Sequence, residues 1–303
     1  MSVMTSNSFA KALWPGIRSW WGKAYDEHSE EFSELFDTYN SDRAYEEDVG
    51  LTSFGLAPVK PEGSGIAYDA EQQGYVTRYT HVTYALGFII TREIYEDDMY
   101  DVVGQRRARG LAFSMRQTKE NVGANVYNRA FDNDYPGGDG VSMINSSHPL
   151  VAGGTFSNKP DTDADLSEAA LEQAAIDIMK YTDDRGLRIS VTPQKLIVPP
   201  DLVFEAERIM GTEGRVGTSN NDLNALRSMR KFPDGYVVNH YLTDENAWFI
   251  RTNVPDGLKH FVRRQAEFAI DNDFDTENAK FKATERYSFG WTDPRAIYGS
   301  PGA

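Results

Sequence analysis

The sequence predicts an α+β fold, and three observations lead to this class. A helical pattern covers residues 97–132, strand patterns lie before and after it in the chain, and helices alternate with strands between residues 166 and 254. With 303 residues, 40% of them hydrophobic, the chain is long enough to enclose a substantial core. It contains no low-complexity tract and no internal repeat, so we expect a folded globular protein.

Residues 1–50 are predicted to form an N-terminal arm. Apolar residues recur there at helical spacing, and three of them are Trp14, Trp20 and Trp21. One interpretation is that the tryptophans complete the subunit's own core. The other is that the arm packs on a neighbouring subunit, because three tryptophans so near a terminus are a large apolar load. A helix lying on a membrane surface fits less well, because the segment that follows is acidic.

Residues 51–92 are predicted to form an extended β loop. Early prolines and glycines exclude a helix. Residues 75–90 are then almost entirely β-branched, aromatic or apolar, and two sets of side chains alternate from Tyr75 to Tyr84. Neither face of this strand is cleanly apolar, so a full core within its own domain is not expected and partner chains are indicated. We predict that residues 60–74 are an assembly element, and the contact residues predicted in this region are Lys60, Tyr75 and Tyr79.

Residues 97–132 are predicted to form one long helix, on the order of 50 Å at roughly 1.5 Å per residue. This exceeds the usual helix length, and a small enzyme domain seldom has use for such an element. Arg106 and Arg107 of this helix are the last two predicted assembly contacts. A glycine-rich turn follows, and later patterns predict two further helices from Ser167 and from Asp201, and strands at residues 188–198, 247–250 and 280–291.

The charge balance argues against sequence-specific binding of nucleic acid. Lys and Arg total 31 against 46 Asp and Glu, which gives a net charge of −15. A chain this acidic is repelled by DNA unless its bases are gathered on one patch, and the only tight basic cluster is Arg106, Arg107 and Arg109. Sequence-specific binding of nucleic acid is therefore not expected, whereas an acidic wall that encloses DNA without binding it would suit this charge balance. No stretch has the ~20 apolar residues of a membrane span or the form of a secretory signal.

No arrangement of residues identifies a catalytic, cofactor or metal site. The absence of cysteine excludes thiolate chemistry, and the five histidines have no ligand spacing. His148 lies in a loop with two serines, so a Ser-His-Asp hydrolase is an alternative, but no Gly-x-Ser-x-Gly elbow accompanies it. The acidic run at residues 271–275 fails as a calcium loop, because Thr276 replaces the turn glycine and Lys282 the bidentate glutamate.

Four segments, in this order, carry a resemblance to a known family. They are Gly87-Phe88-Ile89-Ile90-Thr91-Arg92-Glu93 with Asp97-Asp98, Asn128-Arg129-Ala130-Phe131, Gly138-Asp139-Gly140-Val141 with Ser147-His148-Pro149-Leu150 and Gly153-Gly154-Thr155, and Leu196-Ile197-Val198-Pro199-Pro200-Asp201-Leu202. Together with the order of elements, they resemble the Hong Kong 97-type fold of tailed-bacteriophage major capsid (head) proteins. The amino-acid sequence of these segments is similar to that of the Mu-type head-subunit family.

The resemblance implies an α+β fold of that type. Its parts would be an N-terminal arm at 1–50, an extended β loop at 51–92, a peripheral domain at 93–165 and 255–303 with the spine helix at 97–132, and an axial domain at 166–254.

The resemblance also implies a structural role and no enzymatic activity. The chain would be a major capsid subunit that self-assembles through pentamers and hexamers into the icosahedral head enclosing phage DNA. Its partners would be copies of itself together with scaffolding and portal proteins, and no membrane. It would reside in the virion, and in the host cytoplasm during assembly. An encapsulin-like compartment shell, which shares the fold, is the alternative reading, and a hydrolase using His148 is the alternative from another class.

Overall fold

The structure is a computed structural model that describes residues 18–96, 100–214, 222–273 and 278–303. Its helices are α1 (18–27), α2 (Phe32–Leu35), α3 (Arg92–Glu96), α4 (Tyr100–Asn128), α5 (Glu168–Met179), α6 (Val203–Gly211) and α7 (Ala225–Ser228), with short 3₁₀ turns at Pro200–Leu202 and Pro294–Ala296. The predicted long helix is confirmed as α4, which has 29 residues. None of the helices in the described ranges is long and apolar enough to cross a membrane.

The strands form two four-stranded sheets and two ribbons. Sheet 1 has the order β1-β10-β11-β4, sheet 2 has the order β12-β9-β7-β8, and the ribbons are β2-β3 and β5-β6. The strands are β1 (Asp37–Asn40), β2 (Tyr45–Leu51), β3 (Gln73–Thr80), β4 (Val82–Ile90), β5 (His148–Pro149), β6 (Thr155–Phe156), β7 (Pro193–Val198), β8 (Tyr236–Val238), β9 (Trp248–Thr252), β10 (Leu258–Asn272), β11 (Ala279–Trp291) and β12 (Ile297–Ser300).

Sheet 1 supports the long helix. β10 and β11 form a long antiparallel pair from Leu258↔Trp291 to Asn272↔Ala279, and β4 pairs with the other side of β11. The small and apolar side chains of α4 pack on this sheet together with α1. The buried members of this cluster are Trp21, Ala24, Ile90, Ala108, Leu111, Ala112, Met115, Phe268, Phe281 and Ala283. The predicted strand at 280–291 is therefore confirmed as β11.

The predicted strand over residues 75–90 is two strands in different sheets. His81 separates them and is buried, with its ring nitrogens 3.0 Å from the hydroxyls of Ser41 and Ser288. β3 pairs with β2, which the sequence analysis placed in the arm, whereas β4 joins sheet 1. Residues 37–40 and 45–51 of the predicted arm thus form strands, and β2 at its end pairs with β3 of the predicted loop.

Sheet 2 has its own core under α5 and α6. β7 lies between β8 and β9, and its last three residues are buried. The predicted strand at 188–198 begins only at Pro193. β12 pairs with β9 in this sheet, although the sequence analysis assigned residues 255–303 to the other domain. The buried cluster includes Leu171, Ile178, Leu196, Val198, Ala206, Ile209, Trp248, Ile250 and Tyr298.

A third cluster joins the end of α4 to both sheets. Tyr127 is fully buried, and its hydroxyl donates to the carbonyl of Leu35 at 3.2 Å. Its ring stands edge-on to Phe249 of sheet 2, with centroids 5.2 Å apart. The helix ends here because the chain turns at Ala130, whose carbonyl accepts from the backbone N of Ile144 at 2.8 Å. The two sheets are therefore parts of one packed body.

Two glycines of α4 test how tightly the arm packs on the helix. A methyl group at Gly110 meets no atom within 4 Å, so Gly110→Ala should raise the free energy of unfolding by about 1 kcal/mol through helix propensity. At Gly123 the same methyl group lies 3.3 Å from both Phe289 and Phe32, so Gly123→Ala should gain little or nothing. Chemical denaturation measures the free energy of unfolding of both variants. Equal increases would contradict tight packing around Gly123.

Candidate assembly site

The segment between β2 and β3, residues 52–72, exposes large apolar side chains. Leu56 is 81% exposed, Val59 92% and Tyr68 93%. Lys60 is exposed in the same segment. A monomeric soluble protein rarely leaves such a group of apolar side chains in water unless another surface covers them. We call residues 52–72 the projecting loop.

β4, which follows β3 in the chain, also exposes apolar side chains. β4 is the last strand of sheet 1 on its side, and Val82, Leu86 and Ile89 are each about half exposed (49%, 47% and 50%). An apolar edge strand is a ready template for contact with another chain. Tyr75 of β3 is 39% exposed. The projecting loop and β4 thus both expose apolar side chains.

The structure corrects two of the predicted contacts. Trp21 is 7% exposed and stacks on Tyr25 and Phe268 at centroid distances of 5.2 and 5.6 Å. Tyr79 is 3% exposed, and its hydroxyl lies 2.5 Å from that of Thr292. Both side chains pack within their own subunit, because α1 and the β2-β3 ribbon fold back onto sheet 1. Of the two interpretations of the tryptophans, completion of the subunit's own core describes Trp21.

The other predicted contacts have mixed surroundings. Trp14 lies outside the described residues. Trp20 is half-buried against the cluster under α4. Arg106 is exposed, and Arg107, also exposed, donates to the carbonyl of Ile89 at the end of β4. These residues, with Lys60 and Tyr75, stay predicted assembly contacts.

Sequence reasoning missed a buried charged cluster where the arm meets α4. Glu120 is 1% exposed, and its two carboxylate oxygens accept from the backbone N of Glu31 at 3.1 Å and of Phe32 at 2.9 Å. Arg116, 4% exposed, pairs with Glu30 at 2.6 Å and donates to the carbonyl of Tyr25 at 3.1 Å. Glu120 thereby satisfies backbone donors at the start of α2. The arm is bound to the helix by polar groups as well as by Trp21.

A second part of this cluster reaches β11. Lys119 lies 3.7 Å from Glu285, which also accepts from the hydroxyl of Tyr25 at 3.0 Å. Burial lowers the pKa of Lys119 and raises that of Glu285. The spacing of Arg116, Lys119 and Glu120 places them on one side of α4, which is the available sequence signal. Their partners are distant in sequence, so the pairing was not predictable.

The Glu120 contact predicts a pH dependence. Burial raises the pKa of Glu120 to about 7 from 4.5, while the two backbone hydrogen bonds oppose the shift. A carboxyl group with a raised pKa in the folded state binds its proton more tightly there than in the unfolded chain. Stability should therefore fall as the pH rises from about 4.5 to about 7, by on the order of 2 kcal/mol.

Denaturation curves between pH 4.5 and 7.5 measure this slope. Glu120→Gln resembles the protonated form, so its curve should be flatter over that window than that of the unmodified chain. Glu27→Gln, which changes an exposed carboxylate of α1, serves as the matched control and should keep the slope. An unchanged slope in Glu120→Gln would assign the pH dependence to other groups.

The surroundings of His148 do not support a hydrolase. The residue is 1% exposed, its Nδ1 lies 2.6 Å from Asp139 Oδ2, and its Nε2 lies 3.2 Å from Asn158 Oδ1. The amide nitrogen of Asn158 donates to the carbonyls of Met143 and Pro294, so its oxygen faces the ring as an acceptor. Both ring nitrogens thus point at acceptors, and neither is free to take a proton from a serine hydroxyl.

His148→Ala should therefore destabilise the fold. The change removes the partner of the buried Asp139 Oδ2 and one of the two donors to Asn158 Oδ1, which should cost about 2–4 kcal/mol in the free energy of unfolding. His240→Ala is the control, because its side chain is 66% exposed and pairs only at the surface with Glu31, so the cost should stay below about 1 kcal/mol. Equal costs for the two variants would argue against a structural role for His148.

Metal ligation finds no support in the described ranges. No group of three or more His, Asp or Glu side chains there could hold a metal ion. In the acidic run at 271–275, Asp273 pairs with Lys280 at 2.5 Å, and residues 274 and 275 lie outside the described residues.

The described residues thus combine a long helix on a sheet, an arm folded along the helix and an exposed apolar loop. The comparisons identify the class. A family model described as phage capsid protein matches residues 74–300, which is more than half of the chain. The chain therefore belongs to the phage capsid protein family. No curated protein matches it in sequence.

Solved structures share the fold at low sequence identity. A virus-like particle from Pyrococcus furiosus is 12% identical with a TM-score of 0.54, and the match covers 94% of this chain and 98% of that one. For Mycobacterium phage Che8 the identity is 12%, the TM-score 0.52 and the coverage 89% and 90%. For the procapsid of bacteriophage JBD30 the identity is 11% and the TM-score 0.51, and the match covers 98% of this chain and 76% of that one.

The family and the shared fold confirm the main predictions. The fold is α+β of the Hong Kong 97 type, and the chain is a structural capsid subunit of the phage head rather than an enzyme. As a phage capsid protein it assembles with copies of itself into the icosahedral shell and is located in the virion capsid. The hydrolase alternative is wrong.

Proposed function

We propose that this chain is a major capsid subunit of the Mu-type head family, and that it closes the icosahedral head through pentamers and hexamers. The observation that carries the proposal is the projecting loop, whose apolar side chains the subunit itself leaves exposed (Leu56, Val59, Ile66 and Tyr68). Burial of apolar surface contributes roughly 25 cal/mol per Å², so a neighbouring subunit that covers these side chains gains substantial free energy. The four segments quoted above support the Mu-type assignment.

The extended β loop at 51–92 lies over a neighbouring subunit in this proposal. Within this segment, β4 provides a second exposed apolar surface besides the projecting loop. Lys60, Tyr75, Trp20, Arg106 and Arg107 are then contacts between subunits. Each is at least partly exposed in the single subunit, which is what such contacts require.

The division of the subunit into domains is proposed from the resemblance to the Hong Kong 97-type fold. The arm (1–50) and a peripheral domain (93–165 and 255–303) surround the spine helix, and residues 166–254 form the axial domain. The pairing of β12 with β9 favours moving residues 297–300 to the axial domain, and β1 and β2 favour an earlier end to the arm. The axial domain would face the centre of each pentamer or hexamer.

The remaining partners follow from the proposed role. Scaffolding and portal proteins would direct closure of the shell, and assembly would take place in the host cytoplasm. The net charge of −15 supports enclosure of DNA without sequence-specific binding, with the acidic surplus mainly on the inner wall. A compartment shell of the encapsulin type shares the fold, but the phage capsid family match favours the phage head.

Removal of the loop's apolar side chains tests the proposal. Deletion of residues 60–74 should leave a folded subunit that no longer forms shells. Val59→Ser with Tyr68→Ser is a milder change, because both side chains are over 90% exposed and contribute little to the subunit's own stability. Negative-stain electron microscopy and sedimentation, with neighbouring phage genes co-expressed, measure shell formation.

Glu62→Ser is the matched control, because it changes an exposed polar residue of the same loop. It should assemble as the unmodified chain does. Normal shells from the deletion, or from the double serine variant, would show that the loop does not bind a neighbour. A persistent monomer of the unmodified chain would contradict the proposed function itself.

A further inference from the structure

The two limbs of the projecting loop are joined at their base by one carboxylate. Asp69 Oδ2 accepts from the backbone N of Gly55 at 2.8 Å, and Asp69 Oδ1 accepts from the backbone N of Ala70 at 2.9 Å. Gly55 belongs to the outgoing limb, and Asp69 belongs to the returning limb. Next to them, the backbone N of Thr52 donates to the carbonyl of Gln72 at 3.0 Å. The base of the loop is therefore closed.

The closed base is attached to a turn of the same subunit at residues 182–188. Arg185 donates from Nη1 to Asp69 Oδ2 at 2.5 Å and from Nη2 to the carbonyl of Ala70 at 2.5 Å. The hydroxyl of Ser53 donates to Asp183. The hydrogen bond from Arg185 is the largest cause that lowers the pKa of Asp69 to about 2. Both limbs of the loop thus contact the turn.

The turn is itself held rigidly. Asp183 Oδ1 accepts from the backbone N of Arg185 at 2.9 Å and of Leu187 at 2.8 Å. Arg295, 9% exposed, donates to the carbonyl of Thr182 and to Asp184, both at 2.8 Å. Arg295 lies just before β12, so these contacts connect the base of the loop to sheet 2.

The far part of the loop has a different character. Residues 56–68 are exposed throughout, and the hydrogen bonds shown there join Ser64 to the carbonyl of Pro61 within the loop. The contacts with residues 182–188 fix the base and leave the apolar side chains uncovered. They therefore orient the loop and do not bury it.

We propose that Arg185 is a positioning residue for assembly, because it holds the projecting loop in one direction before a neighbouring subunit is met. The proposal rests on the proposed function of the loop. Docking of a loop costs conformational entropy, and a loop already fixed at its base loses less of it on binding. Loss of the Arg185 contacts weakens assembly without removing any side chain that touches the neighbour.

Two single variants and their combination isolate this contact, and a third single variant is the control. Arg185→Gln removes the ion pair, and Asp69→Asn removes the same pair from the other side while keeping an acceptor oxygen for Gly55. Arg188→Gln is the matched control, because it makes the same change of charge in the same turn at an exposed arginine that donates to the carbonyl of Lys180. The double variant of Arg185→Gln with Asp69→Asn tests whether the two residues act through one interaction.

Hydrogen–deuterium exchange of the unassembled subunit is the first measurement. The backbone amides of Gly55 and Ala70 should exchange severalfold faster in Arg185→Gln and Asp69→Asn than in the unmodified chain or in Arg188→Gln. Equal rates in all four proteins overturn the proposal, whether or not shells form in the same conditions.

The threshold concentration for shell formation, measured by sedimentation, is the second. It should rise by roughly two- to tenfold in Arg185→Gln and in Asp69→Asn, stay constant in Arg188→Gln, and rise no further in the double variant. Thresholds equal to that of the unmodified chain overturn the role of Arg185 and leave the proposed function intact. If the unmodified chain forms no shells, the proposed function fails, and the exchange rates still decide whether Arg185 holds the loop.

Discussion

The buried charges of α4 are the constraint on which the rest of the subunit depends. Arg116, Lys119 and Glu120 are each less than a tenth exposed, and an unpaired charge at such depth costs several kcal/mol. The arm has to bring Glu30 and the first amides of α2 to the helix, and β11 has to bring Glu285. These pairings set the path of the arm along α4, and from its end the chain enters sheet 1 as β1.

The body of the subunit, meaning the two sheets with their helices, and the projecting loop place polar and apolar side chains in opposite ways. In the body, the charged side chains that α4 buries are paired or hydrogen-bonded, and Trp21 and Tyr79 pack against the subunit's own chain. In the loop, apolar groups face water, and polar contacts gather at the base around Asp69. A stable subunit can carry a loop with exposed apolar side chains, because the loop contributes little to the core. The surface proposed to bind other copies is thereby separated from the residues that hold the fold together.

The local sequence pattern was enough to predict the elements whose conformation does not depend on contacts with distant residues. The long helix, the strand at β11 and the Gly-rich turn were predicted within a few residues, because spacing and turn chemistry act over short distances in the chain. Prediction failed where the conformation depends on which side chains the folded chain buries. Residues 75–90 look like one strand, but His81 enters the core between two sheets, and β12 pairs with β9 rather than with sheet 1.

The sequence by itself determined the α+β class, the long helix and, through four short segments, the family. The tertiary structure alone decided that Trp21 and Tyr79 are internal, that Glu120 binds α2, and that Arg185 holds Asp69. The reason is physical: each of these side chains meets a partner far away in the chain, more than a hundred residues for Arg185 and Asp69. No local pattern encodes such pairs, because they exist only once the sheets have packed.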